Sequence, residues 1–157
     1  LGFAHRYRRE YEKARPLLEE SVKLNRAVGD RWSTANALTS LAELALDIGD
    51  TAAAAAALKE SISINRELGD KRALAFLLEA FGHLSRLQGQ AAPALTYFAA
   101  AATLRTSIGA PLEPADADKL ETVLADIRAS LAPELRDAAE ADGRQLPLSE
   151  ILDLATG

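Results

Sequence analysis

The sequence predicts an all-α chain built of antiparallel helix pairs, and two observations carry that prediction. Glycine recurs every twenty residues, at Gly29, Gly49, Gly69, Gly89 and Gly109, and the stretches between are rich in Ala, Leu, Glu, Lys and Arg, which favour helix. Alternate stretches also match: Glu20-Ser21-Val22-Lys23-Leu24-Asn25-Arg26 returns forty residues on as Glu60-Ser61-Ile62-Ser63-Ile64-Asn65-Arg66. A helix pair repeated at a fixed period of this size is the mark of a stacked-repeat architecture.

The glycines set the turns. A glycine just past a helix end takes the left-handed cap at little cost, and an acid after it caps the next N-terminus. Asp30, Asp50 and Asp70 hold that place, with Gln90 and Ala110 in the last two slots. Each interval reads as one helix of about seventeen residues, roughly 25 Å long, and turns this short leave neighbours antiparallel. The first turn breaks the pattern. Arg9 stands where a glycine is expected, so the start reads as a truncated first helix, and Pro16 should kink the next helix or delay its start. The opening Leu1-Gly2 matches Leu41-Ala42 and Phe81-Gly82 in phase, which predicts an internal piece of a longer protein.

Small residues recur in phase at Gly2/Ala42/Gly82, Ala14/Ala54/Ala94 and Ser21/Ser61/Ala101, marking where paired helices cross closely. Bulky neighbours flank them: Leu38, Leu41, Leu78 and Phe81 on first helices, and Leu18, Leu58 and Phe98 on second ones. The alanine run 52–57 offers little side-chain volume, so it predicts either a weak helix or close packing. This order of small and bulky positions resembles the tetratricopeptide repeat (TPR), in a forty-residue variant. The resemblance implies a right-handed superhelix whose first helices line a concave groove.

On that basis the groove residues are Asn36, Thr39, Glu43 and Asp47 on one helix, and Phe76, Glu79, His83 and Arg86 on the equivalent helix. Tyr7, beside Phe3 and Arg6, joins them from the truncated helix. Spacing of three to four places each set on one stripe. The stripes lack the Lys/Asn/Arg set with which chaperone-binding TPR domains hold a C-terminal carboxylate. An ordinary solvated helix face is the competing reading of the same residues.

The net charge of −5 is unevenly spread. Residues 111–157 hold eleven acids against four bases, a net of −7, which leaves +2 for residues 1–110. The break near Ala110-Pro111 divides a repeat region, 1–110, from an acidic helical capping segment, 111–157. Within the latter, Leu120, Val123, Leu124 and Ile127 form the buried stripe of a helix over 115–130. A second helix has Pro133 in its first turn and ends at Gly143, and Pro147-Leu148-Ser149 opens a third. A repeat array needs such an end cap, and its charge also suits a basic partner domain.

The remaining features argue against chemistry. The chain has no cysteine, hence no disulfide or thiolate site. Its acidity disfavours nucleic acid, and no apolar run approaches the roughly eighteen residues of a membrane span. His5 and His83 lack a second ligand three or four residues away, so no metal site is expected. Asp116/Asp118 and Asp137/Glu140 lie in a solvated acidic stretch with nothing to raise a pKa. No catalytic residues and no cofactor are therefore expected. Arg26 with Asp30 and Arg66 with Asp70 are spaced to pair across each turn, and Trp32 is placed to pack back onto the preceding helix, with an exposed partner anchor as the alternative.

From Gly49 onward the likeness narrows. Arg66-Glu67-Leu68-Gly69-Asp70, then Leu104-Arg105 leading into Ile108-Gly109-Ala110-Pro111-Leu112, and Ala141-Asp142-Gly143-Arg144-Gln145-Leu146 carry it. These stretches resemble the C-terminal sensor region of bacterial ATPase-coupled transcriptional regulators of the MalT/LuxR and AfsR/SARP kinds, and of related adenylate cyclases. The resemblance implies a cytoplasmic signal-integration domain that binds a protein, peptide or effector. Its partners would include an ATPase and an output domain of the same polypeptide, and self-association is left open. Phosphate-loop and helix-turn-helix motifs are not found in this segment. A stand-alone TPR adaptor or peptide receptor is the alternative, and an enzyme in a helical shell the third.

Overall fold

The computed structural model describes the backbone from Gly2 to Gly157 and the side chains from Glu10 onward. Among the described residues there are eight helices and no strand. They are α1 (Gly2–Ala27), α2 (Arg31–Ile48), α3 (Thr51–Leu68), α4 (Lys71–Leu87), α5 (Ala91–Ser107), α6 (Pro114–Ala129), α7 (Pro133–Gln145) and α8 (Leu148–Thr156). They fall into two compact units, Leu1–Asp70 and Lys71–Gly157, so the expected boundary near Ala110-Pro111 lies inside the second unit.

In the first unit α2 packs against both α1 and α3. Gly29 and Gly49 sit at φ 75° and 76°, where a side chain would be strained. Asp30 and Asp50 cap α2 and α3 by accepting from the Ser33 and Ala53 backbone N–H groups at 2.9 and 3.0 Å, each cap contributing about 1 kcal/mol. The small-residue positions are where α2 and α3 meet. Ala42, Ala54, Leu58, Ser61 and Ile62 are fully buried. The Ser61 hydroxyl reaches the Ala35 carbonyl at 3.1 Å, a bond across the two helices that larger side chains would prevent. Ala54 and Ala57 are buried too, so the alanine run is a site of close approach.

Four expectations are corrected here. α1 runs unbroken through the anticipated turn at Arg9, because Arg9-Glu10 favour helix and neither residue readily takes a left-handed φ. Pro16 does not delay the helix start; it lies inside α1, which forgoes one backbone hydrogen bond there. Arg26 pairs with Glu60 of α3 and not with Asp30, whose carboxylate is taken up by the Ser33 N–H and hydroxyl. Trp32 is 59% exposed, since the neighbouring Val28-Gly29 turn is itself exposed and offers nothing to cover it. The Arg26–Glu60 pair and its neighbour Arg31–Glu67 are at the surface and contribute at most about 1 kcal/mol each.

In the second unit α5 is the hub, packing against α4, α6, α7 and α8. The α4–α5 pair repeats the α2–α3 crossing: Leu77, Leu78, Ala94 and Ala101 are fully buried, and Gly82 abuts the Phe98 ring. Ala94, Leu95, Phe98, Ile127 and Ala139 form one core cluster, with Leu120, Val123 and Leu124 packed at its edge. The apolar stripe anticipated for α6 thus faces the core. α7 departs from expectation by continuing past Gly143 to Gln145. Gly143 does not end the helix; it is buried against α5, where an added Cβ would stand 2.3 Å from the Thr96 carbonyl oxygen. Thr96 in turn donates its hydroxyl to the Ala139 carbonyl at 3.1 Å.

Candidate binding site

The two predicted stripes lie on different units. On α2, Asn36, Glu43 and Asp47 are exposed, whereas Thr39 is half-buried and its hydroxyl sits 2.9 Å from both the Ala35 carbonyl and the Ser61 hydroxyl. Thr39 is therefore engaged in the α2–α3 contact. Although Glu43 is exposed at the surface, desolvation of its carboxyl by the neighbouring helix atoms, and then the charge of Asp47, hold it above its ordinary value. Tyr7, with Phe3, His5 and Arg6, lies outside the residues whose side chains are described.

On α4 three stripe residues converge. Phe76, Glu79 and His83 line a cleft of about 570 Å³ whose far wall is the Pro111-Leu112-Glu113 segment and the first turns of α6. Arg86 is exposed and does not line it. Leu112, Leu120 and Val123 join Phe76 in supplying the cleft's apolar lining. Glu79 is gripped by Arg105 of α5 through two parallel bonds, Nε to Oε1 at 2.5 Å and Nη2 to Oε2 at 3.0 Å. Both side chains are largely buried, so the pair acts as a rigid wall. Arg105 also donates to the Ala110 carbonyl at 3.4 Å, tying the chain that leads to α6. Of the charged linings, Glu79, Glu113 and Asp116 outnumber Arg105 and Lys119 by one, with Asp116 and Lys119 3.1 Å apart.

His83 is half-buried and meets the Phe98 ring edge-on, with centroids 5.0 Å apart. Burial, and then the charge of Arg86, lower its pKa against the opposing pull of Glu79. The imidazole in the fold therefore takes up a proton at lower pH than in the unfolded chain. Stability contributed by neutral His83 is complete above the ordinary histidine value and is lost as pH falls through the depressed one. Thermal stability followed by circular dichroism is expected to weaken as pH falls below the ordinary histidine value, with a shallower slope in His83→Gln. Equal slopes would reject this assignment.

Sequence reasoning missed the α5 and α6 walls. The Pro111–Pro114 break, which brings a helix with an apolar stripe back beside α4, was the available signal. Among the described residues no cluster of His, Cys, Asp and Glu is arranged to hold a metal, and no helix is long and apolar enough to cross a membrane.

Fold and cleft together define an all-α helical-hairpin repeat protein with a polar-rimmed, apolar-floored recess. Residues 1–67 match the family model for the tetratricopeptide repeat, which supports a tetratricopeptide-repeat region in that stretch. Repeats of this family generally mediate protein–protein interaction on a fold that is typically non-catalytic. No curated protein and no solved structure gives a significant match to the chain.

Proposed function

We propose that this chain is a non-catalytic protein-interaction and sensor domain of a larger bacterial signalling or transcriptional regulator, and that it binds a protein or peptide segment in the cleft between α4 and α6. Residues 1–110 serve as the repeat array and residues 111–157 as the acidic segment that closes it. An ATPase and an output domain of the same cytoplasmic polypeptide are the natural partners. The reading rests on one observation: three of the four stripe positions on α4 face a common recess with apolar surface and a rigid ion-paired wall. Its excess acidity suits a segment that presents an apolar side chain next to Lys or Arg.

Display of random peptides against the 157-residue chain tests the site. Enriched peptides should pair an apolar residue with a basic one and bind Phe76→Ala at least about tenfold more weakly, as loss of a central aromatic anchor implies. Peptides that bind Phe76→Ala as well as the parent would remove the cleft from consideration. The complete reading frame tests the wider role, since one that encodes no nucleotide-binding ATPase would leave a free-standing adaptor.

A further inference from the structure

A second cleft, of about 550 Å³, opens where α5, α6 and α7 meet, within the roughly 300–1,000 Å³ range of small-molecule sites. Its floor is apolar, formed by the buried Leu95 and Phe98 with Ala102 and Leu124 beside them. The charged wall runs against the acidic character of the segment around it. Glu140, whose side chain is 15% exposed, is held on both oxygens: Arg128 Nε donates to Oε1 and Arg144 Nη2 to Oε2, each at 2.7 Å. Two guanidinium groups therefore share one carboxylate, and this holds the Glu140 carboxyl below its ordinary value.

The two arginines keep donors in reserve. Arg128 spends Nη1 on the solvent-exposed Glu121 at 2.8 Å. Among the described residues, Nη2 of Arg128 and both Nε and Nη1 of Arg144 have no acceptor. A guanidinium offers its donors in a planar fork that matches a carboxylate. The hydroxyls along α5 do not compete for that role, because Thr103, Thr106 and Ser107 donate to carbonyls of their own helix.

We propose that this cleft binds a small organic monocarboxylate, with its apolar tail on Leu95, Phe98 and Leu124 and its carboxylate between Arg128 and Arg144. The site is independent of the α4–α6 cleft, and it would make the C-terminal segment a small-molecule sensor.

Calorimetric titration of the 157-residue chain with octanoate, 1-octanol and octylamine tests this. Octanoate should bind saturably and one-to-one, with the alcohol and the amine at least about tenfold weaker, because only the acid meets the spare donors. Arg144→Gln, at a surface position, should weaken octanoate by at least about tenfold while leaving octanol unchanged. Ala102→Phe, which fills the floor, should remove binding of both. The proposal is overturned by absence of saturable octanoate binding, by octanol binding as tightly as octanoate, or by indifference to Arg144→Gln. It is equally overturned if acetyl-pentaalanyl-leucine with a free carboxyl end binds more tightly than octanoate, which would assign the cleft to chain termini.

Discussion

Replacing Gly143 with alanine is expected to destabilise the second unit by about 2 kcal/mol, although alanine is the better helix former. Two terms oppose each other. Relieving the backbone freedom of a glycine in the last turn of α7 favours alanine by at most about 1 kcal/mol. Against this, the new Cβ would fall 2.3 Å from the Thr96 carbonyl oxygen, 2.7 Å from the Ala99 Cβ and 3.0 Å from the Ala100 nitrogen. Two of these three are backbone atoms of α5, which cannot rotate aside, so α7 has to back away. Overpacking of this kind costs about 3 kcal/mol at the upper end of its usual range, and steric cost prevails. Withdrawal would also stretch the Thr96–Ala139 bond that joins the helices. Chemical denaturation gives the sign directly. Ala138→Gly on the exposed face of α7 serves as the control, with a loss of about 1 kcal/mol from propensity alone. A Gly143→Ala protein that is more stable than the parent would mean that the two helices do not approach so closely.

The same residue shows where reading the sequence stops. Gly29, Gly49, Gly69, Gly89 and Gly109 all take positive φ, and their even spacing identifies them as turns. Gly143 sits after a helical stretch in the same manner, but serves close packing within the last turn of α7. A single letter does not distinguish a left-handed cap from a missing side chain; only the neighbouring helix does. Arg9 is the converse case. The period asks for a break there, but a period is an average over repeats, and continuation is decided locally by whether a residue can reverse the chain.

Within the site, the spacing of Phe76, Glu79 and His83 was enough to place them on one helix face, because three- and four-residue steps translate directly into geometry. Their opposite wall was not legible. It depends on the path of the chain after Ala110, and on Arg105 finding Glu79 across α4 and α5. Long side chains choose partners by tertiary proximity, as Arg26 does in reaching Glu60 past a nearer acid in sequence. Small residues behave differently: Ala42, Ala54, Ala94 and Ala101 are all fully buried as their in-phase recurrence implies. Their role is to be small, and that property needs no knowledge of the partner.

Gly82 and Phe98 should be coupled strongly enough that one substitution partly rescues the other. Phe98 is 2% exposed and packs in the cluster with Leu95, Ile127 and Ala139, so Phe98→Ala is expected to cost about 3–5 kcal/mol. Gly82→Ala alone should cost about 1–3 kcal/mol, because its Cβ would lie 2.7 Å from the ring, and the ring has the His83 edge and the core around it. Once the ring is gone that clash disappears. What remains is the helix-propensity gain of about 1 kcal/mol and a methyl group entering the vacated space. The double variant should thus be more stable than Phe98→Ala alone, giving a coupling energy of about 2–4 kcal/mol in a double-mutant cycle. His83 provides an independent readout: without Phe98 its imidazole gains solvent, and its titration in NMR spectra should move up towards the ordinary histidine value. Strict additivity of the two substitutions would show that the ring does not occupy the space above Gly82, and with it the assignment of this crossing as the tight point of the α4–α5 pair would fall.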